Sequence, residues 1–373
     1  MFPAWTAPTD ERDADERPRS RRRAASRRVS RRRAAPRPLV SAVSRAVRGA
    51  EAAVPGLLLL VALAGLARLV AGAVSGLNAL LLAVGFGAVV ANTVGVPRIA
   101  DAGVRYRGLL LETGIVLLGA RIAFSDLVAT GPVVLALAVA AVVGGVALVE
   151  FLGRRVFDLK RKTASLLAAG ASVCGVSAAT AIAGTIDADG ESLAHVVAAI
   201  LLFDAVTLLL FPVMGDLLAL SPRQFGVWAG LSMYSTGPVT AAGFAHSPAA
   251  GQWATVTKLA RNALLGVVAL WYAFRYADRS AESGAASLLD GVPNFLAGFA
   301  FVALAANAGL LSPETLATID ATSDALFALA FAGLGLDVRL EAMREAGLAP
   351  VAVLSVALAV VSAVALLAVT TLL

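Results

Sequence analysis

Residues 225–247 read FGVWAGLSMYSTGPVTAAGFAHS, and residues 165–186 read SLLAAGASVCGVSAATAIAGTI. Both are apolar enough to lie in a bilayer, yet neither reads as a plain helix. Each carries a Gly-x-Ser core, Gly170–Ser172 and Gly230–Ser232, followed by clustered hydroxyls, and Gly237–Pro238 interrupts the later stretch. Glycine, proline and hydroxyls in mid-span are what a discontinuous membrane helix needs, because neighbouring groups must satisfy the freed backbone. A break leaves bare N–H groups at the start of each second half, near Gly175 and near Gly237. Together with the positive end of the helix dipole they attract an anion. Pro238 is tolerated in a first turn, where its missing N–H would have no partner. The alternative is that the small residues only let helices pack closely.

The rest of the chain fits a membrane setting. Its 373 residues are 59% hydrophobic and 15% charged, with a mean hydropathy of +0.82. A soluble domain runs at about 45–50% apolar and about 25% charged, so an ordinary cytosolic enzyme is excluded. Eleven apolar segments follow one another, at 54–73, 77–96, 108–124, 132–152, 164–186, 193–218, 225–245, 253–276, 292–310, 324–336 and 348–373. They lack the polar–apolar alternation of an outer-membrane barrel, so an all-α polytopic membrane protein is expected. One cysteine, Cys174, and two histidines, His195 and His246, leave no disulfide and no Cys- or His-based metal site. No metal, no cofactor and no enzymatic activity are expected, since no nucleophile–base pair or HExxH motif is present.

Charge sets the topology. Fourteen of the 31 basic residues are arginines ahead of the first apolar segment. Residues 1–50 therefore read as a disordered, Arg-rich cytoplasmic tail and residues 51–373 as the transmembrane domain. The tail either fixes topology or contacts anionic lipid or RNA. No aromatic residues interleave with its arginines, so specific nucleic-acid binding is not expected. A signal peptide is not expected either. With the N-terminus inside, the cytoplasmic connections hold thirteen basic residues, among them Arg98, Arg107, Arg154, Lys160, Arg223, Arg275 and Arg339, and the outer ones hold none. That split predicts eleven crossings with the C-terminus outside, and it also supports a fifth and seventh segment that either both cross or both turn back.

An internal repeat is also legible. LGARIAFSDLVATGP from Leu118 resembles LGLDVRLEAMREAGLAP from Leu334, with Gly119/Gly335, Gly131/Gly347 and Pro97/Pro313 all 216 residues apart. Segments 2–4 then match segments 9–11 in opposite orientation, an inverted repeat of the transporter type, with a site near the midplane. Ionisable residues at depth are site candidates. Asp204 sits mid-span. Lys258 and Arg261, followed by Asn262, share one helical face. Arg68, Glu112, Arg121 and Asp337 lie nearer span ends and read as ion pairs between segments. Trp228, Trp253, Trp271 and Tyr276 read as interfacial anchors or packing.

In GAVVANTVGVPR, GIVLLGARIAFSDLVATG, LLAAGASVCGVSAATA, ATVTKLARN and FAGLGLDVRLEAMREAG, as in the 225–243 stretch, the chain resembles the YeiH-like membrane proteins labelled sulfate exporters. The likeness covers about residues 54–373. It implies an inner-membrane secondary transporter with two crossing broken helices, similar to antiporters and bile-acid symporters. Members of that family carry a His, an acid and a Gln where this chain has Tyr234, Ser235 and Pro238, and a small residue where this chain has Asp204.

The expected function is alternating-access transport of a small anion, sulfate or a related oxoanion. Ser172, Cys174, Gly175, Ser177, Ser232, Tyr234, Thr236 and Gly237 are the expected binding residues, Lys258 and Arg261 the charge-balancing ones, and Asp204 the coupling-ion residue. A cation:proton antiporter and a non-transporting receptor or anchor are the alternatives. The expected partners are the anion, the bilayer and a second copy of the chain in a homodimer.

Overall fold

The computed structural model describes residues 39–74, 78–121, 124–276 and 294–373. Most of the Arg-rich tail, and Arg279, lie outside the described residues. Residues 48–373 form one compact unit. Among the described residues the chain is helical throughout. In order come α1 (Leu39–Ala73), α2 (Ala79–Thr93), α3 (Asp101–Val104), α4 (Arg107–Leu118), α5 (Phe124–Phe151), α6 (Arg161–Ser172), α7 (Val176–Thr185), α8 (Gly190–Leu217), α9 (Pro222–Ser232) and α10 (Thr236–His246). They are followed by α11 (Pro248–Asn262), α12 (Leu265–Tyr276), α13 (Asn294–Asn307), α14 (Pro313–Asp337), α15 (Leu340–Arg344) and α16 (Leu348–Leu372). Five stretches are long and apolar enough to cross a bilayer: Glu51–Ala73, Gly131–Val156, Gly190–Leu217, Pro313–Asp337 and Leu348–Leu372. The molecule is a polytopic membrane protein.

Both suspected segments are broken, and both turn back. The Lys162 ammonium reaches the Asp187 carbonyl, and Thr163 Oγ1 donates to Ser192 Oγ at 3.0 Å. A straight helix would hold Lys162 and Asp187 about 37 Å apart at 1.5 Å per residue. So α6 and α7 form a hairpin with a closed base. Likewise the rings of Phe225 and His246 stack at 4.1 Å, where a straight helix would separate them by about 31 Å. So α9 and α10 form a second hairpin. The crossing broken helices implied by the resemblance are replaced by two hairpins. The break residues can fold the chain back on itself because small side chains, Gly170 and Ala179 among them, line the inside of the first turn.

The two hairpins stand on opposite ends of the molecule. Glu150, Arg161 and Tyr276 gather at the base of the first: Tyr272 Oη donates to Glu150 Oε1 at 3.0 Å, and Tyr276 Oη to the Arg161 carbonyl at 3.1 Å. Asp216 and His246 pair at 3.0 Å at the base of the second. The long α8 links the bases. The α11–α12 unit runs back beside both hairpins, interrupted at residues 263–264, a break that the sequence, with neither Gly nor Pro there, does not announce.

Against this block packs a layer of α2, α4, α13 and α14. Helix α4 lies antiparallel to α14. Arg107 Nε pairs with Asp337 Oδ2 at 2.5 Å at one end, and Arg121 pairs with Asp320 at 2.7 Å and Asp324 at 3.0 Å at the other. Arg121 and Asp337 thus make the inter-segment ion pairs expected of them, while Glu112 lines the cavity described below. Helix α14 starts at Pro313, not near 324, because Ser312 caps it by accepting the Thr315 N–H. Its acidic first turns lower the local hydropathy, so the apolar segment legible in the sequence begins only at 324. Gly87 and Gly335 let α2 and α14 touch backbone to backbone: a Cβ on either would overlap the other helix's carbonyls.

Candidate functional site: two hairpin tips and a cavity

The first halves, α6 and α9, end with their carbonyls converging on α11. The terminal carbonyls of a helix have no partner inside it and carry the negative end of its dipole. Arg261 supplies both needs. Its Nε donates to Ser172 O (3.0 Å) and Nη2 to Ala171 O (2.9 Å), while Nη1 donates to Gly230 O (3.1 Å), Leu231 O (2.7 Å) and Met233 O (3.1 Å). One guanidinium thus fastens both tips. Lys258 Nζ adds a bond to Met233 O at 2.9 Å. Both cations are fully buried, at 1% and 0% exposure.

Between the halves, Gly175 adopts φ +67° and ψ −132°, a region open essentially to glycine alone. A Cβ there would overlap Ser235 Oγ, so the two tips are in direct contact. The second halves begin at Val176 and Thr236 with their N–H ends side by side. Asp204 Oδ1, on α8, accepts the Ser235 N–H at 3.1 Å and so takes up the start of α10. Asn262 Nδ2 donates to Thr236 Oγ1 at 3.0 Å, and its Oδ1 is buried without a partner.

A cavity of about 450 Å³ opens where the hairpin block meets the α4–α14 layer. Cys174, Ser177, Thr236, Gly237 and Asp204 line it, as do Ser235, Pro238 and Asn262; Arg107, Glu112, Phe331 and Asp337 face them from the other side. Ser172, Gly175, Ser232, Tyr234, Lys258 and Arg261 do not line it. They form the tips and the wall behind: Tyr234 Oη donates to the Leu354 carbonyl at 2.8 Å, and the hydroxyls of Ser172 and Ser232 are buried without partners. Ser235 and Pro238 were readable from the break itself. Arg107 and Glu112 gave no signal beyond being charged near a span end. Glu150, buried and accepting from Ser165 Oγ at 2.5 Å, lies far from this cavity, at the base of the first hairpin.

Outside the spans, Asp189 caps α8. The Ser192 N–H (2.7 Å) and hydroxyl (2.9 Å) donate to its carboxylate and hold its pKa below the ordinary 3.8.

The fold and cavity define a class: a many-helix membrane protein with a polar pocket built where two helix hairpins meet. The family model described as Conserved hypothetical protein 698 matches residues 55–354, and the chain belongs to that family. It is 34% identical over 326 residues to a UPF0324 membrane protein of Nitratidesulfovibrio vulgaris, covering 83% of this chain and 90% of that one. It is 33% identical to the UPF0324 inner membrane protein YeiH of Salmonella typhi over 307 residues, 80% of this chain and 88% of that one. It is also 33% identical to YeiH of Escherichia coli K12 over 309 residues, with the same coverage. The resemblance seen in the sequence motifs therefore holds. No solved structure matches the chain.

Proposed function

We propose that the protein is a secondary carrier for a small anion, sulfate or a related oxoanion, working by alternating access. The observation that carries this reading is the charge at the tips. Two buried cations, Lys258 and Arg261, stand against one buried carboxylate, Asp204. With both cations protonated, that surplus of one positive charge in a poorly solvated site favours an incoming negative charge. The start of α7, lined by Cys174 and Ser177, is where it would rest.

The proposed topology has nine crossings and two re-entrant hairpins. Connections at the end that holds the first hairpin's base carry Arg98, Arg105, Arg107, Arg154, Arg155, Lys160, Arg161, Lys162, Arg275, Arg339 and Arg344; the other end has Arg223. Eleven against one favours a topology with the first end in the cytoplasm, the N-terminus inside and the C-terminus outside. The YeiH relatives are inner membrane proteins by name, which favours the same membrane here. The inverted repeat gains support from contacts that recur in both copies. A Cβ on Gly119 would meet Phe299 O at 2.5 Å and Ala303 N at 3.2 Å; one on Gly335 would meet Val84 O and Ala88 N, positions 215 residues earlier. The cavity reaches from the tips toward the cytoplasmic end, where Arg107 and Asp337 lie. The far end is shut by Asn78 Nδ2 donating to Ala245 O at 3.2 Å and by Phe244 on Phe327, 5.0 Å between centroids.

The second reading, a cation:proton antiporter, is favoured by one observation: among the described residues Glu112, Asp204 and Asp337 line the cavity with Arg107 as the one basic residue. Sulfate counterflow in proteoliposomes separates the two. Wild-type protein should exchange labelled sulfate and Lys258→Ala should lose that exchange. Flux that depends on sodium and ignores the anion overturns the anion reading.

A further inference from the structure

We propose that Asp204 is a tethered substitute for the transported anion, so that an anion binding at the start of α7 draws a proton onto the Asp204 carboxylate and the two travel together. The inference rests on the anion reading above and adds the coupling to it.

The two second-half helices begin side by side, since Gly175 and Ser235 are in contact. Each start offers free N–H groups and a positive dipole end. Asp204 Oδ1 accepts the N–H of Ser235, the residue that precedes α10, at 3.1 Å. The start of α7 has no side-chain cap, and Val176 and Ser177 there line the cavity. A second observation marks this corner as a ligand site. Asn262 is 2% exposed, faces the cavity, and leaves its Oδ1 unpartnered while its Nδ2 holds Thr236. An acceptor left over beside two helix starts suits a ligand that brings a donor, such as a hydrated or protonated oxoanion.

An anion seated at α7 is a like charge next to Asp204. Two negative charges in contact at a buried site cannot both persist cheaply, and the group able to take a proton does so. Of the groups that face Asp204, Arg261 on α11 is committed to tip carbonyls, and Lys258 donates one bond, to the Met233 carbonyl. Tyr234 is bonded to Leu354 O, Cys174 sits at the first tip, and α7 and α16 bear no titratable side chain. Across the cavity Asp337 is paired with Arg107, which leaves Glu112 on α4 as the one other free carboxyl in the lining. Protonated Asp204 keeps a carbonyl oxygen for the Ser235 N–H, so the cap survives the transfer. The balance is one anion and one proton bound, none released.

The test is calorimetric titration of sodium sulfate, and separately thiosulfate, into the purified full-length protein between pH 5 and 8. It is run in two buffers of different ionisation enthalpy, with gluconate as counter-ion. Wild-type protein should take up about one proton per anion, and its affinity should fall about tenfold per pH unit in the upper part of that range. Asp204→Asn keeps an oxygen that caps helices as well as aspartate does. It should bind with affinity flat across pH and no proton uptake. Binding by the wild type without proton uptake, or uptake unchanged in Asp204→Asn, overturns the inference and leaves the anion reading standing. No binding of either anion by the wild type overturns both. A wild-type count of zero protons overturns the inference even if the variant does not fold, and Asp204→Glu serves as a second variant that should keep the uptake.

Discussion

Arg261 shows how a single side chain can carry two elements. Five carbonyl bonds from one guanidinium join the end of α6 to the end of α9. Arg261→Ala should lower stability by about 3 kcal/mol, because hydrogen bonds from a buried charged group are worth more than neutral ones and the freed carbonyls have no water. Thermal unfolding of purified protein measures it. Arg261→Lys should recover little, since an ammonium cannot span both tips. Spacing and burial pointed to Arg261 as important but not to what it holds: the sequence places it three residues after Lys258, and only the fold brings Ala171 and Gly230 to it. Asp189 gives a pH prediction with a definite sign. Its carboxyl is held below the ordinary 3.8, so its contribution to the start of α8 is full above that value and disappears as pH falls through the depressed one. Asp189→Ala should therefore speed amide exchange at Ser192 and Leu193 at neutral pH and change nothing once the pH lies well below the depressed value.

At the scale of elements, composition made the helical, membrane-bound class plain, and the Gly-x-Ser and Gly237–Pro238 signals located both breaks. What they did not reveal is that the chain doubles back. A break and a turn share the same local residues; the difference lies in contacts 21 to 29 positions apart, such as Phe225 on His246 and Thr163 on Ser192. The charge count had left both outcomes open, because two reversals leave every later connection on its original side. Sided labelling tests the arrangement. In a Cys174→Ser background, cysteines at Lys160 and Asp187 should react with a membrane-impermeant thiol reagent from the same, cytoplasmic side. Cysteines at Arg223 and Ser247 should react from the opposite side. Lys160 and Asp187 labelled from different sides would restore a through-going helix. The start of α14 was misplaced for another reason. Glu314 and Asp320 lower its local hydropathy, while the Ser312–Pro313 cap that begins it is a short-range signal that hydropathy does not weigh.

At the scale of the molecule, the far wall of the cavity is not legible in the sequence, because no local pattern brings it to the hairpin tips. Arg107, Glu112 and Phe331 lie on helices that meet the tips only in the folded state. The bond between the tips has a mechanical consequence. Because the same guanidinium grips both hairpins, neither can withdraw from the midplane alone; any excursion must carry the pair past the α4–α14 layer as one rigid plug. On the carrier reading, a plug that moves whole would leave no open pore behind it, so a membrane that stores energy as a proton gradient would stay tight while cargo crosses. Severing that grip should turn the carrier into a leak: vesicles holding Arg261→Ala protein that still folds should dissipate an imposed pH gradient faster than wild-type vesicles, with no anion present.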